Sequence, residues 1–264
     1  MKIQVEFELE GWSLFFAGLE LLPGSTDELA SLRHLSAARV RERLQLEVLA
    51  RSPTVAALRR LFRSAGSDPT RYRPSSEALI RRILKGAELP AINPLVDINN
   101  CLSLELAVPC CVMAEEAVSS PYSLRAGRMG ESYESLKGPF NLEGKPLLLD
   151  AHGPCDVPIT GSQRVKIQSQ TRRAVLVAYL PEGVVQPVTA HRKLEMLLTA
   201  APVARLLGSY YCPTHTEETH EHQDGEGQSQ HYSEEYWSHD QPDQGDGDEP
   251  KNLQQPTDQS EWQE

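Results

Sequence analysis

Helical patterns come first in this chain and strand patterns second, an order that leaves few folds open. The spacing predicts a helix from the Ser25/Glu28 capping-box pair to about Ala50, with Leu29, Leu32, Leu35 and Leu44 among its apolar residues. Pro53 opens a second helix stopped at Gly66, and Ser75 or Ser76 caps a third that ends at Gly86. Asn93-Pro94 starts a fourth, carrying Leu95, Ile98, Leu102 and Leu106. Before these helices, alternation at Ile3, Val5, Phe7 and Leu9 predicts one strand, and Ser13–Leu21 a second. After Pro109 short strands are expected at Cys110–Met113, Tyr122–Ala126, Leu147–Leu149, Val165–Ile167 and Ala174–Leu180, then a last helix from Thr189 to Leu207. The expected class is α+β, with mixed or antiparallel sheets and flanking helices.

The stretch from Tyr72 to Pro109 holds an unusual density of Asn, Asp, Glu and Arg inside two apolar helical patterns. Buried polar groups are costly unless hydrogen-bonded, so this set implies either a structural network or the floor of a binding site. The sequence favours the second. The Arg33, Arg39, Arg41 and Arg43 face of the first helix reads as solvated, with contact to phosphate as the alternative.

The formal charge of -11 argues against a nucleic-acid partner until it is located. Thr214 to Glu264 carries 15 acidic residues against one Lys, and Met1 to Pro213 holds 25 Lys+Arg against 22 Asp+Glu, a net of +3. A mildly basic body permits a phosphate-bearing partner. The tail, rich in Gln and His and poor in aliphatics, is expected to be disordered, leaving residues 1–213 as one domain. Five of the eight histidines lie there (His215, His220, His222, His231, His239), which reads as a solubilising tail with incidental affinity for zinc or nickel. The five cysteines form no C-x-x-C pair and read as buried thiols of a reducing compartment. No apolar run reaches the ~20 residues that span a bilayer, so a cytoplasmic protein is expected.

Familiar catalytic signatures are missing. GPFNLEGKP (Gly138–Pro146) has five residues between its glycines and Pro146 where a phosphate loop needs Ser or Thr. There is no G-x-S-x-G, H-E-x-x-H or G-x-G-x-x-G. Cys155 lies near His152 and Asp150, but a buried thiol is the simpler reading.

LVDINNCLSLELAVP (Leu95–Pro109) resembles a motif of the β subunit of bacterial phenylalanyl-tRNA synthetase, where an Asp, an Asn, a Glu-Leu pair and a Pro recur in the order Asp97, Asn100, Glu105-Leu106 and Pro109. LRAGRMGESYESLKG (Leu124–Gly138) is similar to the next element, with Arg125, Ala126 and Gly130-Glu131. LLLDAHGP and the QTRRAVLVAY segment continue the likeness, so that it covers residues 72–180. The Y-R-x-S-x-E-A-L-x-R-R element at Tyr72, Arg73, Ser75, Glu77, Ala78, Leu79, Arg81 and Arg82 resembles freestanding versions of that editing domain.

The resemblance implies trans-acting hydrolysis of the ester of a misacylated tRNA, with no cofactor or metal and with neither membrane nor DNA as partner. It offers Asn93, Asn100, Glu105 and Thr171 as catalytic contacts. Arg73, Glu77, Asp97, Cys111, Arg125, Glu131, Gln163 and Arg164 become substrate-binding positions. Asp97 and Glu105 could equally satisfy buried backbone and Arg side chains. The chain departs from the pattern where synthetases place His-Ala-Phe-Asp, here Cys111, Val112, Met113 and Ala114, and where an acidic residue is expected, here Gln163. A non-catalytic module binding tRNA or protein is therefore the alternative.

Overall fold

The computed structural model describes residues 3–23 and 27–213; Ser25 of the capping box and the tail from Thr214 lie outside the described residues. Two strands open the chain, β1 (Val5–Phe7) and β2 (Trp12–Leu21). Four helices follow: α1 (Asp27–Arg43), α2 (Pro53–Ser64), α3 (Ser75–Leu84) and α4 (Pro94–Leu106). Next come β3 (Cys110–Ala114), β4 (Tyr122–Ala126), β5 (Ser132–Ser135), β6 (Gly138–Asn141), β7 (Pro146–Asp150), β8 (Gly153–Val157), β9 (Thr160–Gly161) and β10 (Arg173–Pro181). Helix α5 (Pro187–Ala200) and β11 (Ala204–Cys212) close the described chain. The fold is α+β, with mixed and antiparallel sheets.

One sheet has the order β11-β2-β10-β3 and is antiparallel throughout. The other runs β1-β4-β7-β8-β9, and β1 pairs parallel to β4. A separate hairpin joins β5 and β6. Strands β2 and β10 are buried almost end to end, as strands covered on both faces must be. Register assigns the faces, because residues directly opposite share one. Val177 pairs with Phe16 and with Cys111, and Tyr179 with Leu14, so these side chains share a face. Phe16 on that face meets Tyr122 of β4 at 5.0 Å between ring centroids, so the face looks at the second sheet. Phe15, on the opposite face, meets His191 of α5. The helices α4 and α5 therefore cover one side of the first sheet and the second sheet covers the other.

Several expectations fail; Ser75 and Ser76, expected as caps, lie inside α3, whose N-cap is Pro74. Helix α1 stops at Arg43, not Ala50. At 100° per residue a continued helix would turn Leu49 to the side opposite Val40, and both are buried here. Leu35, one of the apolar residues of that helix, remains 45% exposed. The last helix stops at Ala200, because Pro202 cannot continue it, and Ala204–Leu207 belongs to β11. Val165–Ile167 is no strand; Val165 contributes only its carbonyl, which accepts from the Ala114 N–H at 2.9 Å.

Candidate functional site

Most of the polar residues singled out from sequence are committed to ion pairs that staple helices and strands. Glu77 is fully buried, and Arg59 grips it bidentately at 2.8 and 2.9 Å while Arg81 Nε donates at 2.9 Å. Arg73 lies 3.5 Å from the same carboxylate. Burial pushes the Glu77 carboxyl up, but the arginine hydrogen bonds outweigh it and hold it below the usual range. Asp97 accepts from Arg33 at 2.7 Å and from the Ile92 N–H at 3.0 Å. Glu105 accepts from Arg39 at 3.2 Å and Lys193 at 3.1 Å, tying α4 to α1 and α5 beside a cleft of about 90 Å³. Arg41 donates to the Ile83 and Ala87 carbonyls and to Glu88, and Arg43 to the Leu104 carbonyl. Of the α1 arginines, Arg33 and Arg39 are drawn to buried carboxylates, whereas Arg41 and Arg43 stay exposed as a solvated face would. They neutralise carboxylates and cap carbonyls near the C-terminal ends of α3 and α4.

The strand region repeats this pattern. Arg125 holds Glu131 bidentately at 2.8 and 2.6 Å, and the Arg128 N–H adds a third bond. The Arg125 hydrogen bonds draw the Glu131 carboxyl down to about 2. Arg164 meets Asp150 at 2.8 Å and spans to the carbonyls of Ala117, Gly153 and Pro154. Asn93 caps α4, its Oδ1 accepting from the Leu95 N–H at 3.0 Å. The Thr171 hydroxyl accepts from the Gln168 N–H and closes the turn before β10. Gln163 is exposed, with its backbone N–H on the Glu134 carbonyl. The twelve candidates therefore fall into separate clusters with different partners. Asn100 is partly exposed, with no hydrogen bond to its side chain among the described residues.

A different arrangement emerges at β3, the edge of its sheet. The Tyr179 N–H donates to the Pro109 carbonyl at 3.0 Å, which fixes the parity of the strand. The backbone groups of Cys111 and Met113 then point to β10, and those of Cys110, Val112 and Ala114 point outward. Asn99 Nδ2 donates to the Cys110 carbonyl at 3.3 Å, and Ala114 N–H is taken by Val165. Between these two, the Val112 N–H and C=O face outward without a partner among the described residues. Asn99 is 6% exposed, and its Oδ1 is buried without a hydrogen bond. The open main-chain edge at Val112 is a slot offering one N–H donor and one carbonyl acceptor, while the Asn99 amide oxygen is enclosed.

Behind the slot, on the face toward the second sheet, lies Cys111. A bulge makes its surroundings: β8 pairs Asp156 with Leu148 and Pro154 with Leu149, leaving Cys155 as the extra residue. The bulge aims Asp156 between the sheets, where its Oδ2 accepts from the Tyr179 hydroxyl at 2.6 Å. Burial pushes the Asp156 carboxyl up to about 7, against hydrogen bonds from Tyr179, Cys111 and the Val157 N–H that favour the charged form. Cys111 keeps some exposure at the sheet edge, yet burial pushes its thiol well up, and the Asp156 charge adds to this.

Asn99, Asp156 and Tyr179 escaped the sequence reading. Asn99 had a signal, standing four residues after Leu95 and three before Leu102 on the buried stripe of α4. Asp156 had only its position as a lone charge in an apolar strand, PCDVP.

The chain belongs to the B3/4 domain family, whose model matches residues 57–194. It is 30% identical over 109 residues to the phenylalanine–tRNA ligase β subunit of Bartonella henselae, a match covering 40% of this chain and 14% of that protein. The corresponding subunit of Bartonella quintana is 29% identical over 100 residues, covering 37% of this chain and 12% of that one. The chain thus spans about an eighth of the length of these curated relatives. A crystal structure of an N-terminal fragment of the phenylalanyl-tRNA synthetase β-subunit from Pyrococcus horikoshii overlaps 78% of this chain and 50% of its own, at 14% identity and a TM-score of 0.41. Among the described residues no helix is long and apolar enough to cross a membrane, and no group of three His, Cys, Asp or Glu could hold a metal ion.

Proposed function

We propose that this chain hydrolyses the ester of a misacylated tRNA in trans, at the slot along the outer edge of β3. The observation that carries this reading is the open edge of β3, where the Val112 N–H and C=O have no partner among the described residues and Asn99 holds the neighbouring Cys110 carbonyl. Family membership and the net +3 charge of residues 1–213 support it. An aminoacyl ester presents an ammonium nitrogen and a carbonyl oxygen three bonds apart. The Val112 carbonyl would accept from the ammonium, and the Val112 N–H would donate to the ester oxygen as negative charge develops there. Asn100, adjacent on α4, is free to orient water. Holding the ester and one oxyanion donor in place is worth several kcal/mol each, enough for an intrinsically labile bond. The ion pairs of Glu77, Asp97, Glu105 and Glu131 would serve by keeping the helical frame and the hairpin rigid.

A second reading, a module that binds tRNA without turnover, is favoured by Cys111 and Gln163 standing where the resembling synthetases carry His and an acidic residue. Purified protein incubated with a panel of mischarged tRNAs separates the two. Hydrolysis of at least one pair, reduced at least tenfold by Asn99→Ala, is expected. Binding without ester loss for any pair sinks the hydrolase and leaves the module.

A further inference from the structure

Positive charge is concentrated in one part of the chain. Residues 51–85 hold nine Lys+Arg against two acidic residues, whereas the rest of residues 1–213 holds 16 against 20. A segment of net +7, comprising α2, α3 and the loop between them, therefore carries the whole positive balance, and the remainder is at -4. Both helices show the same pattern of basic residues at i, i+1 and i+4. On α2 they are Arg59, Arg60 and Arg63, and at the end of α3 Arg81, Arg82 and Lys85. At 100° per residue each triplet spans about 100° of its helix, clear of buried Val55, Leu58 and Phe62 on α2 and of Ile80 and Ile83 on α3.

One buried carboxylate joins the two triplets. The first member of each grips Glu77, Arg59 at 2.8 and 2.9 Å and Arg81 at 2.9 Å, and Arg73 adds a third cation at 3.5 Å. Three cations on one carboxylate leave two positive charges in excess, and each of the three arginines keeps part of its side chain in solvent. The outer members, Arg60, Arg63, Arg82 and Lys85, are exposed, and none forms an ion pair among the described residues. Asp68, the other acid of the segment, accepts the Thr70 N–H at 2.8 Å. Helix dipoles favour Arg63, Arg81 and Arg82 in the last turns but give no reason for Arg59, Arg60 or Arg73.

Such a surface fits a partner with repeated negative charge. Six of its seven cations are Arg, whose planar fork takes two phosphate oxygens at once. The whole chain is at -11, which opposes the approach of RNA, so association needs a local field of this kind. We propose that the α2–α3 surface docks the tRNA backbone, and that Glu77 is the buried clamp holding the two triplets side by side. The inference rests on the proposed hydrolysis of an ester carried on tRNA, and it adds where that tRNA is held. Phosphate contacts at α2–α3 position the RNA, and the edge of β3 meets only its aminoacyl end.

The test uses the full chain and a fluorescently labelled, unacylated tRNA transcript, with binding read by anisotropy from about 50 to 200 mM KCl. Neutralising the four exposed residues together (Arg60→Gln, Arg63→Gln, Arg82→Gln, Lys85→Gln) is expected to weaken binding at least tenfold. The slope of log K against log salt should become shallower by about 3, as four lost phosphate contacts require. The same change of charge at exposed positions elsewhere (Arg128→Gln, Lys137→Gln, Arg172→Gln, Arg192→Gln) is expected to alter affinity less than threefold. Equal losses in the two variants overturn the proposal, as does a wild type that binds no tRNA. Poly-L-glutamate of matched charge that displaces tRNA as well as unlabelled tRNA does also overturns it, and marks a surface for acidic protein. Circular dichroism melts check the fold. Should the patch variant unfold, Arg60→Gln and Lys85→Gln singly decide: a two- to fourfold loss each supports docking, and wild-type affinity refutes it. On a cleaved mischarged tRNA the patch variant is expected to raise KM at least fivefold with kcat within twofold; an unchanged kcat/KM sinks the docking surface and leaves the hydrolase. If no ester is cleaved while the patch variant still weakens binding, the hydrolase reading fails and the docking surface stands.

Discussion

Replacing Asp156 by Asn removes a buried ionisable group, keeps nearly the same shape, and so isolates what the inter-sheet carboxyl costs the fold. Its carboxyl rises from the ordinary 3.8 to about 7 because burial disfavours the charge. Between those values the native state binds one proton that the unfolded chain has lost, so the contribution of this group to stability falls as pH rises from about 4 to 7 and is flat above. Three pK units at about 1.4 kcal/mol each make the ionised side chain cost about 4 kcal/mol at pH 8, an upper bound. The amide of the variant would not ionise, and its carbonyl oxygen can still accept the Tyr179 hydroxyl. At pH 5, about 1.2 pH units above the unfolded value, titration already favours the variant by about 1.6 kcal/mol, set against the roughly 1 kcal/mol of one altered hydrogen bond. At pH 8 it should be more stable by roughly 2–4 kcal/mol. Urea unfolding followed by circular dichroism at pH 5, 6, 7 and 8 measures this, and the other titrating groups cancel in the difference between the two proteins. A difference that stays constant across that range, to about 0.5 kcal/mol, would refute a neutral-range titration of Asp156.

Four further outcomes are expected. Glu77→Ala leaves Arg59 and Arg81 without their carboxylate inside the α2–α3 junction and should cost about 3–5 kcal/mol, read as a fall in the urea midpoint. Glu131, held near 2 by Arg125, stabilises above pH 4.5 and loses that contribution as pH falls through its folded value; Glu131→Gln should therefore flatten part of the acid limb of a stability–pH curve. Ala107 closes α4 in the left-handed region at φ 57°, where Ala is disfavoured, so Ala107→Gly should stabilise by roughly 0.5–1 kcal/mol in thermal unfolding. Gly127→Ala should destabilise by about 2 kcal/mol or more by the same measurement, because its Cβ would run into the Leu142 carbonyl.

Local chemistry made much of the fold legible. Pro53, Asn93-Pro94, Gly66 and Gly86 bracket α2, α3 and α4 as capping rules require, and the alternating or apolar runs at β2, β3, β4 and β10 fall where expected. Pro202 carried the correct end of α5, and the apolar residues around it hid that signal. Val165–Ile167 had the residue types of a strand without a continuous partner to pair with. The ambiguity at Asp97 and Glu105 is one that types and spacing leave open, since a buried carboxylate looks the same in sequence whether it meets a ligand or Arg33 and Arg39.

The sequence by itself determined the α+β class and the family, because helix caps, strand periods and the ordered motifs from Tyr72 onward act over a few residues each. Tertiary structure alone decided which polar groups are spent and which are free. Arg33 reaches Asp97 across 64 positions, Tyr179 reaches Asp156 across 23, and the open edge of β3 exists only because β10 claims its other side. Those pairings arise when helices and sheets close on one another and each buried charge must find a partner. The enclosed Tyr179–Asp156 pair and the buried, unpartnered oxygen of Asn99, which shares that state with Ser36, Ser67 and Ser76, become visible only in that closed arrangement.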